Sequence, residues 1–280
     1  MTSNRRPEET VVLITGASSG IGKACAEHLA QRGYRVFGTS RRAPFPPTPP
    51  LPGQPVMLQM DVTRDESVQH AVDFIVRETG RLDVVVNNAG FGIAGAVEDT
   101  SIEEAKSQLE TNFFGVLRVC RAALPVMRAQ GEGLIVNISS LGGVIALPFQ
   151  ALYSASKFAV EGLTEALRLE VRPFGIHVTL IEPGDLHTGF TDHRVRAAAW
   201  GPTSAYARYA ERVLQIVEAD ERNGGAPETV ALLLERILRS PNPAPRYQVG
   251  PAFQRLAAVL KGILPDRLFE WALAKYYRIP

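Results

Sequence analysis

Cysteine is scarce in this chain, since only Cys25 and Cys120 occur among its 280 residues. They lie far apart, in stretches whose patterns predict helices. A disulfide framework needs several cysteines, and a cysteine-based metal site needs closely spaced ones. The two thiols therefore argue against both kinds of site, and they fit a reducing, cytoplasmic compartment.

A long apolar run is also missing, because no stretch approaches the roughly 18 uninterrupted apolar residues of a transmembrane helix. The segment Met1–Thr10 is polar and lacks the apolar core of a signal peptide. We therefore expect neither a membrane span nor a secretory signal.

Neither sign of charge dominates, because 30 Lys and Arg residues face 29 Asp and Glu residues, a formal net charge of +1 at pH 7. The arginines form no run long enough for a nucleic-acid-binding arm, so we expect no nucleic-acid partner. His187 and His193 lack a third ligand at a matching spacing, so we expect no metal site.

The sequence does contain a regular alternation of short apolar runs with amphipathic stretches. Runs such as VVLIT, LDVVVN and LIVNI are apolar on both faces, as parallel strands covered by helices on both sides require. The predicted strands are Thr10–Thr15, Tyr34–Thr39, Pro55–Asp61, Leu82–Asn87, Leu134–Ile138, His177–Glu182 and Arg246–Val249. The predicted helices are Gly20–Gln31, Ser67–Thr79, Ser101–Ala129, Tyr153–Val171 and Thr229–Leu238. This order predicts an α/β fold, a single doubly wound, Rossmann-like parallel sheet of about seven strands with helices on both faces.

One domain is expected over residues 1–280, with its core at 10–250. The strongest interruption is Ala43–Pro55, with prolines at positions 44, 46, 47, 49, 50, 52 and 55. A surface loop and an interdomain linker are the two interpretations. The loop is favoured because the strand–helix alternation resumes directly after it.

The first strand runs into a glycine-rich turn, Thr15–Gly22 (TGASSGIG), and then into a helical pattern. Glycine permits a tight turn and lets the backbone approach a pyrophosphate closely. The helix that follows offers unpaired N–H groups to the phosphates. The turn therefore predicts a dinucleotide site, although its spacing is G-x-x-x-G-x-G.

Two arginines, Arg41 and Arg42, follow the second strand, where an acidic residue would bind the ribose hydroxyls of NAD. Their forked guanidinium groups suit a 2′-phosphate instead, which favours NADP(H). Asp61 follows the third strand and either accepts from the adenine amino group or caps a helix, a role for which Thr63 competes.

Tyr153 and Lys157 are four residues apart in a predicted helix, so both lie on one face. A free tyrosine has a pKa of about 10. A neighbouring ammonium group lowers that pKa by favouring the phenolate, which suits acid–base chemistry on a carbonyl.

Several short motifs occur together in one order: TGASSGIG (15–22), Asp61-Val62, NNAG (87–90), Asn112 in TNFFG, Ser139-Ser140, YSASK (153–157) and Pro183-Gly184. The set resembles the short-chain dehydrogenase/reductase family over roughly residues 10–250. The stretch SSLGGVIALPF followed by YSASKFAVEGL is similar to its hydroxysteroid- and retinol-dehydrogenase-like branch.

This resemblance implies a catalytic set of Asn112, Ser140, Tyr153 and Lys157. Tyr153 would exchange the proton of the alcohol, and Lys157 would lower its pKa and bind the nicotinamide ribose. Ser140, which lies thirteen residues before Tyr153, would hold the substrate oxygen in preference to Ser139. Asn112 would anchor a chain of water molecules. The implied cofactor-binding set is Gly16, Ser18, Ser19, Gly20, Ile21, Gly22, Arg41, Arg42, Asp61, Val62, Asn88, Ala89, Gly90, Tyr153, Lys157, Pro183, Gly184, Leu186 and Thr188.

The activity implied is an NADP(H)-dependent interconversion of a carbonyl and an alcohol on a hydrophobic substrate, such as a steroid, a retinoid or an aryl or alkyl ketone. An NAD-preferring dehydrogenase and a non-catalytic nucleotide-sensing protein stay open as alternatives. Residues 185–223 would be the substrate loop with its flanking helices. The aromatic residues there are either pocket walls or ordinary core: Phe190, Trp200, Tyr206 and Tyr209.

The tail, 251–280, has apolar residues near helical spacing, interrupted by Pro265. Three interpretations stay open for it: a cap on the substrate side, a helix packed on a neighbouring subunit, and a helix lying on a membrane surface. Relatives pair through the helices predicted at Ser101–Ala129 and Tyr153–Val171, which implies a homodimer or homotetramer.

Overall fold

Short apolar segments, mostly buried, form the strands of this protein, whose computed structural model describes residues 6–44, 47 and 50–280. In this part of the chain the strands are β1 (Val11–Ile14), β2 (Arg35–Ser40), β3 (Val56–Gln59), β4 (Val84–Asn87), β5 (Ile93–Ala94), β6 (Gly133–Ile138), β7 (Ile176–Pro183), β8 (Val195–Arg196) and β9 (Arg246–Val249). The α-helices are α1 (Gly20–Gln31), α2 (Asp65–Thr79), α3 (Ile102–Leu109), α4 (Gly115–Gln130), α5 (Ala151–Val171), α6 (Ala207–Arg222), α7 (Glu228–Leu238), α8 (Ala252–Lys261) and α9 (Asp266–Tyr276).

Within the described residues, seven strands form one parallel sheet in the order β3-β2-β1-β4-β6-β7-β9. The chain moves outward from β1 to β3 and then returns to place β4 on the other side of β1. The connections leaving β1 and β4 therefore diverge, and such a switch point opens a crevice at the carboxyl ends of the strands. The predicted doubly wound fold is confirmed.

Alternate residues of the central strands face two separate cores. Val11 and Leu13 pack in one apolar cluster with α2, α4 and α5. Val12 and Ile14 pack in a second cluster with α1 and α7. Because both faces are covered, every residue of β1 and β4 is buried, which explains why these strands show no apolar–polar alternation.

The helix predicted over Ser101–Ala129 is not continuous. A π-helical turn, Glu110–Phe114, separates α3 from α4. The side chain of Asn112, inside that turn, bonds to the backbone of Phe91 and to Ser156. The wider turn directs this amide sideways into the protein, and apolar spacing alone does not predict such an insertion.

The short strands β5 and β8 escaped the sequence pattern, whereas the tail is helical as its apolar spacing predicts. Strands β5 and β8 form a small parallel pair, each only two residues long. The tail forms two helices, α8 and α9, and Pro265 directly precedes the second. The loop predicted at Ala43–Pro55 lies partly outside the described residues (45, 46, 48 and 49), and its described residues belong to no strand or helix. That one domain spans 1–280 stays a prediction.

No helix in the described part of the chain has both the length and the apolarity needed to cross a bilayer.

Candidate active site

A cavity of about 1440 Å³ lies at the switch point of the sheet. The ends of β1, β2, β4, β6 and β7 form one part of it, and α8 and α9 form another. All of the residues predicted for the site line this cavity except Gly22 and Asn112. The structure therefore brings together residues that are spread over more than half of the sequence.

The glycine-rich turn is packed against the end of β4, backbone against backbone. A Cβ on Gly16, which has a φ of +66°, would lie 2.9 Å from the Cα of Ala89. A Cβ on Gly22 would overlap both the carbonyl oxygen of Gly16 and the amide of Asn88. Gly22 thus shapes the cavity without reaching its surface, because any side chain there would push the turn away from β4.

Two hydrogen-bonding side chains lock this turn. The Thr15 hydroxyl accepts from the backbone N–H groups of Asn88 and Ala89, both at 2.9 Å. The Asn88 amide donates to the carbonyls of Thr15 at 2.9 Å and Gly16 at 3.1 Å. Asn88 lines the cavity as predicted, but its amide is engaged with the turn. Thr15 was missed because its contribution depends on where β4 ends.

Helix α1 begins at Gly20 without a side-chain cap, since its N-cap residue Ser19 makes no such hydrogen bond. The first N–H groups of a helix have no partners inside the helix. Ser18, Ser19, Gly20 and Ile21 all line the cavity. This end of α1 therefore presents free donors and a partial positive charge to an anion, which fits a pyrophosphate.

Arg41 and Arg42 lie at the far end of the cavity and are exposed. Neither guanidinium forms an ion pair with any residue in the described ranges. Two unpaired cations beside the cleft fit a ligand that carries an additional phosphate.

Asp61 and Val62 line the same end of the cavity. The Asp61 carboxylate accepts from the backbone N–H of Thr63 at 3.0 Å and from its hydroxyl at 2.8 Å. Asp61 does not cap α2, and Thr63 does not either, because the N-cap residue is Arg64. The capping interpretation was wrong: Asp61 instead holds the turn that precedes the helix.

Tyr153 and Lys157 lie on one face of α5, as their spacing predicts, and both line the cavity. The Lys157 ammonium donates to the carbonyl of Ile138 at 2.8 Å and lies 5.8 Å from the centre of the Tyr153 ring. Burial lowers the pKa of Lys157 to about 8, against the opposing charge of Glu161.

The pKa of Tyr153 differs from the expectation. Burial raises the pKa of Tyr153 to about 12, while a hydrogen bond with Ser140 and the charge of Arg194 act in the opposite direction. The prediction of a lowered value counted the ammonium of Lys157 and left out desolvation. In this structure desolvation is the larger effect.

The two adjacent serines both line the cavity but differ in exposure and in partners. Ser140 faces the cavity beside Tyr153, and its hydroxyl accepts from the N–H of Gly142 at 3.0 Å and donates to the carbonyl of Pro183 at 3.4 Å. Ser139 is only 3% exposed and lies beside Glu161. The geometry thus favours Ser140 as the residue that meets a substrate oxygen.

Asn112 lies behind the cavity and is 1% exposed. Its carbonyl oxygen accepts from the N–H of Phe91 at 3.0 Å, and its amide donates to the carbonyl of Phe91 at 2.9 Å and to Ser156 at 3.1 Å. These bonds connect the π-helical turn to the loop after β4 and to α5. Its predicted link to a chain of water molecules stays a prediction.

The segment after β7 closes over the cavity. The N–H of Gly184 donates to the carbonyl of Val249 at 2.8 Å, and Gly184 packs against Gln254 of α8. Thr188 lies next to Gly20, so the segment reaches across to the glycine-rich turn. Pro183, Leu186 and Thr188 all line the cavity, as predicted.

The aromatic walls predicted in 185–223 are only partly correct. Phe190 lines the cavity, and its ring lies 5.6 Å from that of Tyr153. The other three aromatic residues lie elsewhere: Trp200 against Arg196, Tyr206 bonded to Glu98, and Tyr209 at the surface. The remaining aromatic walls are Phe91, in the loop after β4, and four residues of the tail, namely Phe253, Phe269, Tyr276 and Tyr277.

Four carboxylates that line the cavity were missed in the sequence: Glu110, Asp185, Asp220 and Glu221. Glu221 pairs with Arg194, whose side chain is 2% exposed, and Asp220 accepts from the Tyr276 hydroxyl at 2.5 Å. Asp185 bonds to Gln254 and forms no ion pair within 4 Å among the described residues, although the charge of Arg194 acts on it from farther away. Burial raises the pKa of Asp185 to about 6.

The histidines of this region bond to the backbone. The Nδ1 of His187 lies 2.7 Å from the carbonyl oxygen of Arg222, and that of His193 lies 2.5 Å from the carbonyl oxygen of Gly189. Among the described residues, no cluster of three His, Cys, Asp or Glu side chains is arranged to hold a metal ion.

Comparison with known proteins agrees with this architecture. The chain is 48% identical to a 3-ketodihydrosphingosine reductase from Bacteroides thetaiotaomicron, over 96% of this chain and 98% of that protein. It is 35% identical to the human 17-beta-hydroxysteroid dehydrogenase type 1, over 85% of this chain and 76% of that protein.

A short-chain dehydrogenase from Streptomyces avermitilis has a similar crystal structure, with a TM-score of 0.78 and 34% identity over 95% of this chain and 97% of that one. A family model described as "short chain dehydrogenase" matches residues 10–199. The predicted family and its hydroxysteroid-dehydrogenase-like relatives are confirmed. The protein is a member of the short-chain dehydrogenase/reductase family of oxidoreductases.

Proposed function

We propose that this protein is an NADP(H)-dependent reductase of a hydrophobic ketone, with Tyr153 as its proton donor. The observation that carries the proposal is the position of Tyr153: it lines the cavity with Ser140 and Lys157, between the glycine-rich turn and the apolar tail. Tyr153 would thus act as the acid between two parts of the cavity. We call the part at the glycine-rich turn the cofactor end and the part at the tail the substrate end.

The cofactor end suits NADP(H) in shape and charge. Gly16 and Gly22 let the glycine-rich turn pack closely against the end of β4, and the start of α1 offers free N–H groups at the cavity. Arg41 and Arg42 would pair with the 2′-phosphate. When bound, the reduced nicotinamide supplies the hydride.

The chain's own residues handle the proton. Ser140 would donate a hydrogen bond to the carbonyl oxygen, and the Tyr153 hydroxyl would transfer its proton as that oxygen gains charge. Lys157, with a pKa of about 8, is mostly protonated at neutral pH. Its positive charge would favour the phenolate that Tyr153 leaves.

The substrate end suggests a more specific class of ketone. Its walls combine apolar tail residues such as Leu264 and Phe269 with the carboxylate of Asp185, which forms no direct ion pair within the described residues. A buried charge is unfavourable unless it is paired. A long-chain ketone with an ammonium group near the carbonyl would satisfy both features.

The relative from Bacteroides thetaiotaomicron is described as a 3-ketodihydrosphingosine reductase. That compound is a long-chain ketone whose carbonyl lies beside an amine-bearing carbon. It is therefore our first candidate substrate, and a steroid ketone is the second, in line with the human relative.

The test is NADPH oxidation by the purified protein, followed by absorbance, with 3-ketodihydrosphingosine, a steroid ketone, a retinoid aldehyde and an aryl ketone. We expect turnover with the first and weaker or no turnover with the others. Turnover of the steroid alone would overturn the aminoketone assignment. Bound NADPH with no turnover of any carbonyl would favour the nucleotide-sensing alternative.

The cofactor preference has its own test. An Arg41→Ala variant should lose most of the difference in affinity between NADPH and NADH, about tenfold or more, because a charge-assisted bond contributes about 1.5–3 kcal/mol. Arg121→Ala, an exposed arginine on α4 that does not line the cavity, is the matched control. If NADH binds to the parent protein as well as NADPH does, the NADP(H) assignment is wrong.

A further inference from the structure

The two tail helices are apolar on opposite sides. Their inner side lines the cavity through Ala257, Leu260, Leu264, Phe269 and Leu273. Their outer side exposes a second row of large apolar residues: Phe253 (55% exposed), Leu256 (57%), Val259 (53%), Ile263 (71%), Leu268 (48%) and Trp271 (60%). A helix that is apolar all round is normally covered on every side. We call this second row the outer tail face.

Basic residues surround the outer tail face. Helices α8 and α9 with their connection contain four basic and two acidic side chains. Lys261 pairs with Asp266 at 2.8 Å. Arg255, Arg267 and Lys275 are exposed and form no ion pair with any residue that the structure describes. The surface that covers this face should therefore be apolar at its centre and negatively charged at its edge.

The outer tail face is continuous with the cavity. Phe253 and Tyr276 both line the cavity and are also 55% and 42% exposed, and their ring centres are 6.4 Å apart. These two side chains therefore lie both at the outer tail face and at the rim of the cavity.

We propose that the outer tail face docks onto an anionic phospholipid bilayer, with its apolar side chains at the boundary of the acyl chains and its basic side chains at the phosphates. Amphipathic helices with apolar and basic residues bind such surfaces by both contributions. Docking would place Phe253 and Tyr276, and with them this rim of the cavity, against the lipid.

A second copy of the chain fits this face less well. In a two-fold interface the same patch meets itself, so two surfaces that each carry Arg255, Arg267 and Lys275 would be brought together. The homo-oligomer expected from the family would use the segments Ser101–Ala129 and Tyr153–Val171, whose surfaces expose Phe114, Phe158 and Leu169. That expectation leaves the outer tail face uncovered.

The test uses the full-length protein with vesicles of phosphatidylcholine alone or mixed with phosphatidylglycerol. The chain has two tryptophans, and Trp200 stacks on Arg196 away from the tail. In a Trp200→Phe background, the emission of Trp271 should shift to shorter wavelength with the anionic vesicles. Co-sedimentation should show binding at least tenfold tighter to anionic than to neutral vesicles.

Two pairs of variants separate the contributions. Leu256→Ser with Ile263→Ser should weaken vesicle binding at least tenfold, whereas Val97→Ser with Leu232→Ser, equally exposed residues outside the tail, should leave it unchanged. Arg267→Glu with Lys275→Glu should remove the preference for anionic vesicles, and the exposed Arg172→Glu should not. NADPH binding by every variant checks that it is folded.

Absence of vesicle binding by the parent protein would overturn the proposal. So would unchanged binding in the Leu256→Ser, Ile263→Ser variant. If those substitutions instead convert an oligomer to a smaller species in sedimentation experiments, the face is an interface between copies of this chain, and the membrane assignment is wrong. None of these measurements depends on which ketone is reduced.

Discussion

The cofactor end and the substrate end of the cavity differ in whether backbone or side chains form their walls. At the cofactor end the walls are largely backbone, and Gly16, Gly22 and the start of α1 are held in place by Thr15 and Asn88. At the substrate end the walls are side chains from separate segments, namely residues 185–195, α6 and the tail. A side chain added at Gly16 or Gly22 would push the glycine-rich turn away from β4. A side chain exchanged at the substrate end would change only the lining of the cavity.

This difference explains how related chains can differ in substrate. The human relative is described as a hydroxysteroid dehydrogenase and the bacterial one as a 3-ketodihydrosphingosine reductase. A backbone cradle depends on close packing that tolerates little change in volume. Side chains such as Asp185, Phe253 and Phe269 can be exchanged without altering the sheet.

The largest effect is expected where the two ends meet. Tyr153→Phe should lower turnover by about 10²- to 10⁴-fold, the usual contribution of a positioned acid. Affinity for NADPH should stay within about threefold of the parent, because the phenol hydroxyl is remote from the phosphates. Stopped-flow turnover and NADPH fluorescence titration measure the two quantities. Undiminished turnover would remove Tyr153 from the mechanism, and loss of both would show that the two ends are not independent.

The cofactor end should be sensitive to a single methyl group. Gly22→Ala would place a Cβ on the carbonyl oxygen of Gly16 and the amide of Asn88. Overpacking of this kind typically costs about 1–3 kcal/mol, and we expect NADPH affinity to fall by about tenfold or more. The fluorescence titration described for Tyr153→Phe measures it.

A second helical glycine provides the matched control. Gly162, in α5, has no atom within 4 Å of the position that a Cβ would occupy. Gly162→Ala should keep NADPH affinity and raise the free energy of unfolding by about 0.5–1 kcal/mol, because alanine favours the helix. Equal affinity in the two variants would contradict the backbone cradle.

The cofactor end was predictable because its determinants are local in sequence. The turn at 15–22 and α1 follow from glycine positions and apolar spacing, and the observed bounds of α1, Gly20–Gln31, match the predicted ones. Tyr153 and Lys157 share a face for the same local reason. The local sequence pattern does not show how deeply a side chain is buried. Burial of Tyr153 therefore reversed the direction that we expected for its pKa.

The substrate end was less predictable because its residues meet only in the folded chain. Phe190 was identified, but Trp200, Tyr206 and Tyr209 lie elsewhere, and Phe269 and Tyr277 replace them from the tail. Asp185 follows the Pro183-Gly184 motif directly, a position that could have identified it. Its unpaired carboxylate becomes evident only when α8 brings Gln254 beside it.

Asp185→Asn tests the substrate end alone. The amide keeps an oxygen for Gln254 but cannot attract an ammonium group, so KM for the aminoketone should rise about tenfold, with kcat little changed. Since the pKa of Asp185 is about 6, the parent should also show a rising KM for this substrate as pH falls through 6 and the carboxylate is protonated. Steady-state kinetics from pH 5 to 8 measure both effects.

Two controls accompany that measurement. Asp192→Asn lies in the same loop, is exposed and does not line the cavity, so its KM should match that of the parent. A ketone without an amine should be insensitive to Asp185→Asn. If KM for both ketones rises equally, Asp185 supports the shape of the cavity and does not recognise charge.

The smallest expected effect is a change in the free energy of unfolding. It concerns Glu161 on α5, the helix that carries Tyr153 and Lys157. Glu161 lies one turn after Lys157 and is 7% exposed, and burial raises its pKa to about 7 from an ordinary value near 4.5. Ser139 and Arg246 oppose this shift, whereas Glu182 and Glu165 add to it. As pH rises from 4.5 through 7, the unfolded chain releases this proton before the folded one does, so the free energy of unfolding should fall.

Glu161→Gln removes the contribution of the Glu161 carboxyl group to the change of the free energy of unfolding with pH. The variant should match the parent near pH 4.5 and be more stable above pH 7, where the parent must bury a carboxylate. Urea unfolding at several pH values measures the difference, and Glu170→Gln, exposed on the same helix, should follow the parent throughout. A parallel pH profile for Glu161→Gln would mean that Arg246, which is 3.7 Å from Glu161, already compensates its charge. The buried face behind Lys157 would then be electrostatically neutral, and the pKa of Lys157 would depend on desolvation alone.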